Sequence, residues 1–140
     1  SGGAFILRLF CFFLTVTTEF IIGIMQKTLL RAGYLVIPTE NCQAGLQAFH
    51  QAEQDGQPFK LAILDINMPG FDGQVHTDAG LQLLDRLHAL RPELPVVILS
   101  AYDDASRARD ALGRGARAYY VKGRDSGLVE LVHEILSEEA

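Results

Sequence analysis

Residues 61–65 read Leu61-Ala62-Ile63-Leu64-Asp65, four apolar residues without alternation closed by an acid. A strand with one wet face alternates apolar and polar residues, whereas a strand buried on both faces has no reason to. The stretch therefore predicts a central strand of a parallel sheet. Pro95–Leu99, ended by Ser100, repeats the pattern, and Ala118–Val121, followed by Lys122, is expected as the last strand. Toward the N-terminus, one strand is expected within Phe10–Val16 and another over Tyr34–Ile37. Pro38 removes a ladder donor there and places that strand at a sheet edge.

Helix-period stretches separate these strands. One runs over about Phe20–Arg31 and is stopped by Gly33. Asn41 caps a second that extends to about Ala52, and Asp55-Gly56-Gln57-Pro58 is a turn. Leu81, Leu84, Leu87 and Leu90 share a face of a third, which Arg91-Pro92 ends. Asp103 or Asp104 caps a fourth, with Ala105, Ala108 and Leu112 expected to face inward and Gly113 or Gly115 to end it. Asp125 or Ser126 starts the last, where Leu128, Leu131, Val132, Ile135 and Leu136 recur with helical spacing. Five strand–helix pairs predict an α/β, doubly wound, five-stranded parallel sheet with five helices, as one domain over residues 1–140. Ser1-Gly2-Gly3 reads as a cloning remnant.

Apolar residues make up 49% of the 140 and charged residues 21%, enough apolar material for a core. A net charge of −5 with only 12 Lys and Arg supplies no positive field for a phosphate backbone, so direct nucleic-acid binding is not expected. Cys11 and Cys42 have neither zinc-site spacing nor disulfide-scaffold density, and are expected as reduced thiols of a cytoplasmic protein. The apolar segment Phe5–Met25 contains Arg8 and Glu19. An acid near the centre of a membrane helix costs about 2.5–3.5 kcal/mol, which argues against a span.

In an open parallel α/β sheet, ligands bind beyond the carboxyl ends of the strands. Asp65, Ser100 and Lys122 end the third, fourth and fifth strands. Each alone has an ordinary reading as a turn residue or a solvated cation. Together they place a carboxylate nucleophile, a hydroxyl and a fixed cation at neighbouring strand ends, which is the apparatus for accepting a phosphoryl group.

At this point a resemblance appears. Leu64-Asp65-Ile66-Asn67-Met68-Pro69-Gly70-Phe71-Asp72-Gly73 resembles the phosphoacceptor stretch of the receiver domains of bacterial two-component signalling. Arg31-Ala32-Gly33-Tyr34, Leu99-Ser100-Ala101-Tyr102 and Gly115–Lys122 resemble receiver segments in the same order and spacing. The resemblance implies a flavodoxin-like strand order 2-1-3-4-5. It also implies Asp65 as the phosphorylated residue, Ser100 as the switch hydroxyl, Tyr119 as the switch aromatic and Lys122 as the phosphate-contacting lysine. The donor would be a histidine kinase or phosphotransfer protein. Mg²⁺ would take oxygen ligands from Asp65 and the Asn67 backbone carbonyl. Such a protein is no enzyme beyond its own phosphotransfer and slow autodephosphorylation.

Three features depart from the family. Counting back from Ala32-Gly33 puts Val16 and Thr17 where receivers carry two metal-binding acids, with Glu19 the nearby acid and the one candidate substitute. Weak Mg²⁺ binding is the expectation. Gln74–Gly80 is extra and lengthens the loop before the third helix; its His76 and Asp78 are expected in solvent. Gly123 follows Lys122 where proline is usual.

Two rivals remain. A degenerate receiver would bind partners without phosphorylation, and a haloacid dehalogenase-type phosphatase would want Asp-x-Asp where Asp65-x-Asn67 stands. Two surfaces are candidates for contacts. Arg107, Arg109, Arg114, Arg117, Lys122 and Arg124 gather six of the twelve basic residues toward an acidic partner or solvent. Phe20, Ile21, Ile22, Ile24 and Met25 exceed one core-facing stripe and suggest a homodimer.

Overall fold

The computed structural model describes residues 7–12, 27, 29–39, 41–66, 68–72, 74–76, 78–100, 103–121 and 127–139. Strands β1 (Leu7–Phe12), β2 (Tyr34–Thr39), β3 (Leu61–Asp65), β6 (Val96–Ser100) and β7 (Ala118–Val121) form a parallel sheet in the order β2-β1-β3-β6-β7. Strands β4 (Met68–Pro69) and β5 (Val75–His76) form a separate antiparallel pair. The helices are α1 (Cys42–Gln54), α2 (Ala79–Leu90), α3 (Ala105–Gly113) and α4 (Gly127–Glu139), and residues 29–31 are also helical.

The non-alternating strands are buried as their sequence requires, since every residue of β3 and β6 lies inside. Ala62, Leu64, Val96 and Ile98 pack toward Phe49 of α1 and Leu83, Leu84 and Leu87 of α2. Their neighbours Leu61, Ile63, Val97 and Leu99 pack on the opposite face with Leu29 and with Leu128, Val132 and Ile135 of α4. A period-2 backbone thus feeds two cores at once. β2, with Pro38, sits at the edge. Asn41 caps α1 by accepting from the Ala44 N–H at 2.7 Å, and Asp104 caps α3 through the Ser106 and Arg107 amides. Gly33 adopts φ +96°, a left-handed conformation that a side chain disfavours, and ends the helical residues before β2.

Several expectations need correction. β1 begins at Leu7, earlier than the expected Phe10, because no turn residue stands in the apolar run to fix its start, and residues 13–16 of the expected strand lie outside the described residues. In α3 the buried residue is Ala111, while Ala105 and Leu112 are exposed. That short helix meets the sheet along a narrow line rather than an apolar stripe. Leu90 is exposed at the last position of α2, and Leu83 takes its place in the core. The Gln74–Gly80 stretch is not all loop: Val75 and His76 pair with Pro69 and Met68, and Ala79 and Gly80 already belong to α2. Asp78 is exposed. Phe20, Ile21, Ile22, Ile24 and Met25 lie outside the described residues, as do Arg124 and the starting positions Asp125 and Ser126.

Candidate functional site

Asp65 and Ser100 end adjacent parallel strands. Asp65 pairs with Leu99, the residue before Ser100, and the Ile66 N–H donates to the Leu99 carbonyl at 2.9 Å, so the pairing continues past the end of β3. They are the two buried polar residues among those described, 2% and 0% exposed in a core that is otherwise apolar. Burial of a carboxylate and a hydroxyl is costly without polar partners, and neither residue is without a partner. Their place at the carboxyl end of the sheet is where this architecture puts its chemistry.

Tyr119 lies one strand further on. It pairs with Ile98, is half-buried, and packs against the core cluster on the α1 and α2 side. Ser100 follows Ile98 by two residues and so shares that sheet face. Ser100 pairs with Val121, the last described residue before Lys122. Lys122, Asn67, Glu19, Val16 and Thr17 lie outside the described residues.

The chain leaves Asp65, forms the small β4–β5 hairpin, and returns to the same place. Gly70 N–H donates to the Gln74 carbonyl at 2.8 Å, Gln74 N–H donates to Asp72 Oδ1 at 2.9 Å, and Arg86 lies 4.7 Å above the Phe71 ring. At the base of the excursion Gly80 N–H donates to the Ile66 carbonyl at 3.1 Å. Gly80 was missed as a site residue because it was counted within the extra stretch.

Cys42 Sγ donates to the Ala79 carbonyl at 3.3 Å, tying the first residues of α1 and α2 together. Burial, with the charge of Asp72 adding, pushes the Cys42 thiol up to about 11. Burial raises the Tyr34 hydroxyl as well. The folded state therefore favours the protonated thiol. Its contribution to stability is complete below the ordinary value of 9.0 and is lost as pH rises toward about 11. We expect stability to fall across that window in chemical denaturation, and the fall to be smaller in Cys42→Ala. At neutral pH Cys42 should resist thiol reagents until the protein unfolds.

Among the described residues no group of three or more His, Cys, Asp or Glu could hold a metal ion. Across residues 1–39, from which receivers draw their acidic pair, Glu19 is the sole acid. Mg²⁺ is usually held by one or two carboxylates and keeps several waters. Residues 1–39 thus offer one acid in place of that pair. Three of the six residues of the basic cluster are engaged within the fold: Arg107 pairs with Asp104, Arg114 with Asp110 and Asp85, and Arg117 with Glu138. No helix among the described residues is long and apolar enough to cross a membrane.

A parallel α/β sheet with a buried acid and hydroxyl at adjacent strand ends defines the class of protein, and comparison supplies the family. Residues 17–133 match the response regulator receiver domain. The chain is 33% identical over 109 residues to the response regulator protein FleR of Pseudomonas aeruginosa, covering 77% of this chain and 20% of the relative. It is 32% identical over 99 residues to the sensor histidine kinase GacS of Pseudomonas protegens, covering 71% of this chain and 10% of that protein. Among solved structures, NtrX from Brucella abortus superposes with a TM-score of 0.74 at 25% identity, over 96% of this chain and 28% of that one. TrrA from Thermotoga maritima, crystallised with Mg(2+)-BeF, gives 0.72 at 23% identity, over 93% of this chain and 99% of that one. This chain belongs to the response regulator receiver domain family. Members are signalling modules that work with histidine kinases. The chain spans about a fifth of the length of the regulators FleR and ZraR that it matches.

Proposed function

We infer that Asp65 accepts a phosphoryl group from a phosphohistidine donor, carried by a histidine kinase or a phosphotransfer protein, and that Ser100 and Tyr119 relay its arrival. The observation that carries this reading is the burial of Asp65 and Ser100 at adjacent strand ends of a receiver fold. The sheet order β2-β1-β3-β6-β7 supports the finer reading of a flavodoxin-like 2-1-3-4-5 arrangement.

In the reaction a carboxylate oxygen of Asp65 attacks phosphorus, the P–N bond to the donor imidazole breaks, and the imidazole nitrogen takes a proton. Ser100 hydrogen-bonds a phosphoryl oxygen and Lys122 acts as a point charge on another. A hydroxyl drawn toward the phosphoryl group vacates space on the face it shares with Tyr119, and that ring follows. Bound Mg²⁺ would supply positive charge beside the phosphoryl oxygens. Asp65, the Asn67 carbonyl and Glu19 are the ligands this chain offers, and affinity is low. TrrA in complex with Mg(2+)-BeF supports a metal role in proteins of this fold. The location is the cytoplasm, where phosphohistidine donors act, and nucleic acid is no direct ligand of this domain.

The sole acid of residues 1–39 favours one second reading, a degenerate receiver that signals by binding alone. Phosphoramidate, a small P–N donor, separates the two. With Mg²⁺ present, intact mass should show one added phosphate on the wild type and none on Asp65→Asn. Equal labelling of both proteins would reject Asp65 as acceptor, and labelling of neither would favour the degenerate form. Turnover of a generic phosphate ester would point instead to a dehalogenase-type phosphatase.

A further inference from the structure

The opening turn of α2 lies directly against the peptide of Asp65. A Cβ placed on Gly80 would stand 2.3 Å from the Asp65 carbonyl oxygen, 2.8 Å from Ile66 Cα and 2.9 Å from the Asp65 carbonyl carbon. All three are backbone atoms, which cannot swing aside as a side-chain tip can. The contact is fastened on both sides, by the Gly80 N–H on the Ile66 carbonyl at 3.1 Å and by Cys42 Sγ on the Ala79 carbonyl at 3.3 Å. From the sheet side, the Ile66 N–H is held by the Leu99 carbonyl at 2.9 Å. Residues 65 and 66 are therefore gripped between β6 and the first turn of α2, at the point where the chain departs into the hairpin.

We propose that Gly80 is a positioning residue for phosphoryl acceptance: its missing side chain lets α2 clamp the Asp65 backbone, which sets where the carboxylate stands. The inference rests on Asp65 being the acceptor. Any side chain at position 80 must push helix and strand apart by a sizeable fraction of an ångström. A displacement of about 1 Å at a reacting group costs up to about 10²-fold in rate. The hairpin explains why the clamp is needed here. The chain between Ile66 and Gly80 makes a long excursion, and without the grip at its base the strand end would move with it.

The test compares Gly80→Ala with Gly113→Ala, a helical position where an added Cβ meets nothing within 4 Å. Labelling by phosphoramidate is measured per folded molecule, with the folded fraction read by circular dichroism well below each midpoint. Gly113→Ala should label as the wild type does, and Gly80→Ala about 10²-fold more slowly. A merely structural glycine would lower the midpoint and leave the rate per folded molecule unchanged, which would overturn the proposal. If Gly80→Ala does not fold, the wild type decides. Its Gly80 amide resonance should shift when beryllofluoride occupies Asp65, and an unmoved resonance would overturn the clamp. If the wild type takes no phosphate, the acceptor assignment falls first and this inference with it. If the wild type labels at Asp65 and Gly80→Ala matches it, the clamp alone is wrong.

Discussion

Val16→Asp combined with Thr17→Asp should tighten Mg²⁺ binding and speed labelling of Asp65 by about 10²-fold, the scale on which one well-placed charge-stabilising group acts at a reaction centre. Residues 1–39 supply a single acid, Glu19, to a reaction in which negative oxygen attacks a negative phosphoryl group. Added carboxylates attract the divalent ion, and the ion lowers the repulsion between Asp65 and the incoming group. The positions follow from the spacing to Ala32-Gly33 in the sequence, whereas β1 pairs Phe12 with Leu64, so the double variant also tests that count. Mg²⁺ titration followed by tryptic mapping of the labelled protein checks the result. Wild-type protein that already labels rapidly at low Mg²⁺, with no gain in the double variant, would show that Glu19 completes the site.

Phe59→Ala should be among the most destabilising single changes. Phe59 is 1% exposed, precedes β3 at the end of the sheet remote from Asp65, and packs in the core cluster with Phe49, Ala62 and Leu84. Truncating a buried phenylalanine costs about 3–5 kcal/mol, against a total of about 5–15 kcal/mol for a typical domain. The thermal midpoint should drop by roughly 10 °C. Labelling per folded molecule at low temperature should not change, because the cavity opens away from the site. Calorimetry showing a loss below about 1 kcal/mol would mean that the core closes over the gap.

Much of this architecture was legible because burial leaves a pattern. Leu61–Asp65 and Val96–Ser100 announced themselves as strands by lacking alternation, and the polar residues that end them marked the candidate site. Asn41 and Asp104 were legible as caps because capping is local chemistry. The start of β1 at Leu7 was not, since no turn residue stands between Leu7 and Phe10 to mark it. Leu90 and Leu112 misled for a related reason. Helical spacing gives a face but not the extent of the partner surface, and both residues lie where that surface has ended. Gly80 was hidden most completely. Its role depends on a contact with Asp65, fifteen residues earlier in the numbering, and a glycine in the sequence carries no mark of what its missing side chain makes room for.

The most direct measurement is fragment mass spectrometry of the wild-type protein after exposure to phosphoramidate and Mg²⁺, with and without hydroxylamine. An acyl phosphate is cleaved by hydroxylamine, whereas a phosphate ester on a hydroxyl survives it. One phosphate on the fragment containing Asp65, removed by hydroxylamine, is the predicted result. A hydroxylamine-resistant phosphate on Ser100, or a fragment containing Asp65 that stays unmodified at saturating donor and metal, would contradict it.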